Sequence, residues 1–126
     1  MKKILISLLI TLILFGCNSN NQNSYTQLDQ NEAIRKMEEL DQEYIILDVR
    51  TKPEYDQGHI EGAINFPNED IQNGSFPNPE NKDMIYFVYC RSGNRSKQAS
   101  AKLVENGYTN IYEIGGINTW PGNIVE

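Results

Sequence analysis

Polar and apolar positions along this chain change period several times, and each change predicts an element. Asp29-Gln30-Asn31-Glu32 has capping-box spacing ahead of Ala33, Ile34, Met37 and Leu40, which share one helical face, so a helix is expected over 30–40. Tyr44-Ile45-Ile46-Leu47 is continuously apolar, as in a strand covered on both faces, and runs into Asp48-Val49-Arg50. Thr51-Lys52-Pro53-Glu54 starts a short helix, with Thr51 as N-cap and Glu54 at the capping-box position. Gly58-His59-Ile60 reads as a turn into a short strand over 63–65, and 67–83 as a surface connection with one short turn of helix. A second central strand is expected over 84–89, and a helix over 97–106 with Ala99, Leu103 and Val104 on its apolar face and Gly107 as its stop. A last strand over 110–114 leads through Gly115-Gly116, read as a tight turn, to a short helix carrying Trp120. Strands alternating with helices predict an α/β domain whose parallel sheet is covered on both sides.

The first residues follow another pattern. Lys2 and Lys3 precede an apolar run over 4–15 that closes on Gly16-Cys17, a secretory leader too short to span a bilayer. Residues 18–24 are only Asn, Gln and Ser, with nothing to bury, and read as a flexible tether. The expected organisation is a signal peptide over 1–16, Cys17 and tether over 17–24, and one domain over 25–126. A chain of 126 residues has room for one modest core, and a formal charge of −6 argues against nucleic acid as a partner. The two cysteines, Cys17 and Cys90, form no CxxC or Cys/His cluster, so neither a metal site nor dithiol redox chemistry is expected.

Charge then singles out one stretch. Between Met84 and Val104 lie Arg91, Arg95, Lys97 and Lys102 and no acid, in an otherwise acidic chain. There the apolar run Tyr86-Phe87-Val88-Tyr89 delivers Cys90 to the loop Arg91-Ser92-Gly93-Asn94-Arg95, just ahead of a helix. Helix-terminal N–H groups and two guanidinium groups favour a thiolate, the nucleophilic form, and a small anionic substrate. The alternative is a merely packed cysteine, which needs neither the arginines nor the glycine. Asp48 and Cys90 end two strands on one sheet edge, where open α/β sheets bind ligands, and Asp48 with Arg50 reads as an ionic pair supporting that crevice. His59 is the only histidine, so any general-base role would fall to it, but a low-pKa thiolate needs no base.

Cys90-Arg91-Ser92-Gly93-Asn94-Arg95-Ser96 resembles the active-site loop of rhodanese-like sulfurtransferases. Asp48-Val49-Arg50 with Glu54-Tyr55, the run from Gly58 to Pro67, and Gly115-Gly116-Ile117-Asn118-Thr119-Trp120 match the same family in the same order. The resemblance implies a single rhodanese-like domain with a parallel sheet of about five strands. It implies that Cys90 carries a persulfide, with no other cofactor, and that Arg91, Ser92, Gly93, Asn94 and Arg95 bind the substrate. Thiosulfate would serve as donor, and cyanide, a thiol or a protein as persulfide acceptor; His59 would have a structural hydrogen-bonding role. Cysteine phosphatases and arsenate reductases share such a cradle, but the four residues between Cys90 and Arg95 make a shorter loop, better suited to a single sulfur atom. A non-enzymatic binding module at the cell envelope is the other alternative. Leu14-Phe15-Gly16-Cys17 resembles a bacterial lipobox, which implies cleavage before Cys17 and fatty acylation, such as palmitate, at the new N-terminus. The domain would then be anchored to a membrane of the bacterial envelope, facing outside the cytoplasm, with Cys90 as its single free thiol.

Overall fold

The computed structural model describes residues 24–126; the expected signal peptide, Cys17 and nearly all of the tether lie outside them. Five parallel strands form the main sheet in the order β1 (Thr26–Gln27), β6 (Asn110–Gly116), β5 (Ile85–Cys90), β2 (Tyr44–Asp48), β4 (Ile64–Asn65). All six residues of β5 are buried, as its unbroken apolar composition requires of a strand covered on both faces. Its side chains alternate. Ile85, Phe87 and Tyr89 join Ala33 of α1 (Gln30–Glu39), while Tyr86, Val88 and Cys90 join Ile71 of α3 (Asn68–Gln72) and Ala99 and Leu103 of α4 (Asn94–Glu105). This is the α/β architecture expected, with helices on both faces.

Three differences from the sequence reading bear on the site and its frame. The helix after the loop begins at Asn94, not at residue 97, because Gly93 adopts φ 112° and turns the chain directly into it. Arg95 and Ser96 therefore belong to its first turn. Gly115 and Gly116 are not a turn but the end of β6, and a Cβ built on Gly116 would come within 2.1 Å of the Arg91 carbonyl oxygen. The glycine is required by close packing against the loop. Finally, His59 and Ile60 form β3 (His59–Ile60), which pairs antiparallel with β7 (Ile124–Val125) in a separate two-stranded sheet. The short helix α2 (Lys52–Asp56) has the expected capping box, with the Thr51 hydroxyl accepting from the Glu54 amide.

Candidate active site

β5 ends on Cys90, whose side chain is 1% exposed on the sheet face that α4 covers. Its register with β6 breaks there: Val88 faces Glu113, but Cys90 faces Gly116, so a bulge brings the glycine beside the loop. With Gly116 against Arg91, and Asn118 N–H donating to the Arg91 carbonyl at 3.3 Å, the loop is held tightly enough to aim its amides. Gly93 N–H donates to Cys90 Sγ at 3.0 Å, and Ser96 Oγ lies 3.3 Å from the same sulfur. Burial alone would push the thiol up. The Ser96 hydroxyl and the amides of Ser96, Gly93 and Ser92 outweigh it, and the thiol is held below its ordinary value.

The two arginines of the loop have different surroundings. Arg91 is exposed and lines a hollow of about 360 Å³ together with Arg50, Gln57 and Asn118. Arg95, by contrast, makes a two-pronged ion pair with Glu54 of α2, Nη1 to Oε1 at 2.7 Å and Nη2 to Oε2 at 3.0 Å. Pairing with Arg95 brings the Glu54 carboxyl down to about 2 against the opposing effect of partial burial, with help from Thr51. Asn94, the first residue of α4, is exposed, and the side chains of Ser92 and Asn94 make no hydrogen bond among the described residues.

Asp48 and Arg50 lie beside the loop as a fully built pair. Asp48 is 0% exposed and takes Arg50 Nη2 at 2.7 Å, Nε at 3.0 Å and the Arg50 amide at 2.9 Å. Tyr89 O–H donates to the same carboxylate at 2.6 Å and accepts Ile60 N–H at 3.1 Å, so the pair ties β2, β5 and β3 together. Burial first, then that bond to Asp48, raises the Tyr89 phenol far above its usual range. His59 bonds through Nδ1 with the Tyr55 carbonyl oxygen at 2.9 Å and stacks on the Tyr55 ring at 3.7 Å.

Sequence reasoning gave no role to Glu113, which is 3% exposed on β6. Its Oε1 accepts from Ser96 Oγ at 2.7 Å and from Gly115 N–H at 2.8 Å. Alternation offered the signal: Ile111 and Glu113 point to the α4 side, so an acid occupies a position where the strand otherwise buries an apolar group.

The rhodanese-like domain family matches residues 29–123. Thiosulfate sulfurtransferase PspE of Escherichia coli (strain K12) is 37% identical over 71 residues, which are 56% of this chain and 68% of that protein. Adenylyltransferase and sulfurtransferase UBA4 of Candida albicans is 33% identical over 88 residues, and there the match covers 64% of this chain but only 20% of the relative. A solved structure described as "rhodanese with anions from E. coli" superposes with a TM-score of 0.55 at 33% identity, covering 67% of this chain and 99% of that one. The cysteine-terminated strand, the glycine-turned loop and the match along most of the sequence agree, and the chain belongs to the rhodanese-like domain family.

Proposed function

We propose that this domain is a sulfurtransferase that carries sulfane sulfur as a persulfide on Cys90. The observation that carries the reading is the sulfur at the end of β5, which receives the Gly93 N–H at 3.0 Å and is kept below the ordinary thiol value. A thiolate seated in backbone donors is a ready nucleophile with a stabilised charge. It attacks the outer sulfur of an anionic donor such as thiosulfate. A new S–S bond forms as the donor's own S–S bond breaks, and sulfite departs with the electron pair. In the second half, cyanide or a thiolate attacks the outer persulfide sulfur and Cys90 leaves as thiolate. Arg91, exposed at the rim of the hollow, attracts the donor, and the amides of Ser92 and Gly93 hold the charge on sulfur.

The proposal places the domain at the bacterial cell envelope, outside the cytoplasm, tethered by lipid on Cys17. The decisive experiment is intact mass after thiosulfate treatment. A gain of one sulfur atom, about 32 Da, that cyanide reverses and Cys90→Ala abolishes is the expected result. Absence of any gain would leave the fold as a binding module.

A further inference from the structure

The hollow of about 360 Å³ beside the Cys90 loop has a wall that transfer from thiosulfate does not use. Its volume suits a small organic ligand better than a bare inorganic anion. Most of its charges are already paired. Arg50 is held by Asp48 and by the Gly58 carbonyl oxygen, and Glu54 by Arg95, so Arg91 alone of the charged lining groups has no ionic partner among the described residues. The exposed side-chain amides of Gln57 and Asn118 stand in the same wall. The rest of it is apolar, supplied by Ile117, just after β6, and by Ile124 of β7. Ile124 is 47% exposed and belongs to neither core cluster, yet it is fixed in place. It pairs with Ile60 across the two-stranded sheet, and a Cβ built on Gly58 would lie 3.3 Å from its Cγ2. Single exposed apolar side chains are ordinary. This one shares a concave wall with a second isoleucine and an uncompensated cation.

The geometry points to an organic thiosulfonate, R–SO₂–S⁻, as the class of donor this hollow takes, with Ile117 and Ile124 as specificity-determining residues for its apolar body. That role rests on the sulfurtransferase reading, in which Cys90 is the nucleophile. Arg91 directly follows Cys90 in the chain, so a head group drawn to its guanidinium is brought to the loop that holds the sulfur. Arg91 and the two side-chain amides meet the sulfonyl oxygens, and the isoleucines cover R, an apolar surface that thiosulfate lacks. One uncompensated cation answers one negative charge, whereas the second charge of thiosulfate finds no free partner in this wall. In the transfer step the Cys90 thiolate attacks the outer sulfur, a new S–S bond forms as the donor's S–S bond breaks, and the sulfinate R–SO₂⁻ departs with the electron pair. Charge is conserved, and no further oxidant or reductant is needed.

The test separates binding from transfer. Benzenesulfonate carries the charged head and a ring but no outer sulfur, and its affinity for the full chain is measured by calorimetric titration beside methanesulfonate and sulfate. Benzenesulfonate should bind about tenfold more tightly than methanesulfonate, and sulfate within about twofold of methanesulfonate despite its second charge. Ile124→Ser should bring the two sulfonates to within about twofold of each other, and Arg91→Ala should weaken both by about threefold. Equal affinity for the two sulfonates in the unaltered protein overturns the proposal, as does sulfate binding more tightly than benzenesulfonate or a ring advantage that survives Ile124→Ser. The first comparison needs no variant, so it decides even if Ile124→Ser fails to fold. Benzenethiosulfonate should then load Cys90, read as the gain of about 32 Da, at about tenfold lower concentration than methanethiosulfonate. Loading from both donors without that difference refutes the proposal alone. A ring advantage in binding with no loading from any donor refutes the sulfurtransferase reading instead.

Discussion

Two acids are buried on either side of the end of β5, Asp48 on β2 and Glu113 on β6, and they are compensated in opposite ways. Asp48 is met by a guanidinium, an amide and a phenol. Glu113 is met by a hydroxyl, a backbone amide and the Gln27 side-chain amide, all neutral, with no cation among the described residues. Similar burial thus goes with one carboxylate braced by a cation and one held by neutral donors alone. The brace fixes the frame of the crevice, and the acid without a cation holds the Ser96 hydroxyl that contacts the sulfur.

The contrast breaks or sharpens on stability measurements. Asp48→Ala strands Arg50 without its partner at 6% exposure, and urea unfolding should show a loss of about 3–5 kcal/mol. Tyr89→Phe removes a hydrogen bond to that charge and leaves Ile60 N–H unserved, so about 1.5–3 kcal/mol is expected by the same method. Glu113→Gln keeps both an acceptor and a donor in place, and a cost of about 1 kcal/mol or less is expected in thermal unfolding. Were it to cost as much as Asp48→Ala, the two acids would be equivalent and the distinction lost.

Glu54 gives the smallest effect and a control at partial exposure. Its carboxyl stands at about 2 in the fold against an ordinary 4.5, so the Arg95 pair contributes stability that is complete above the ordinary value and lost as pH falls from about 4.5 toward 2. For a pair 29–34% exposed the amount is about 0.5–1 kcal/mol. Glu54→Gln should flatten acid unfolding over that interval by this amount, measured by circular dichroism.

Much of the frame was readable because burial wrote it in long runs. The apolar stretches at 44–47 and 84–89 became β2 and β5, and the stripe at Ala99 and Leu103 became the inner face of α4. The two-residue strands β1 and β7 were not foreseen, since Thr26 and Gln27 are exposed and Ile124 nearly half so; tertiary pairing alone makes them strands. Within the site, Cys90, Asp48 and Arg50 stood out by type and spacing. Ser96 carried no role in the sequence beyond closing the loop motif, yet its hydroxyl turns inward to Glu113 and the sulfur, while Gly93 occupies the cap position of α4. The engagement of Arg95 by Glu54 was hidden because it joins residues 41 positions apart.

The close seating of Gly116 on Arg91 has a consequence for how the protein is made. The amides that tame the sulfur are aimed only once the penultimate strand has docked, so a chain still being synthesised or threaded carries an everyday, sluggish thiol. Reactivity arrives with completion of the fold, and a half-finished molecule is spared the side reactions that an early-ripened sulfur would invite.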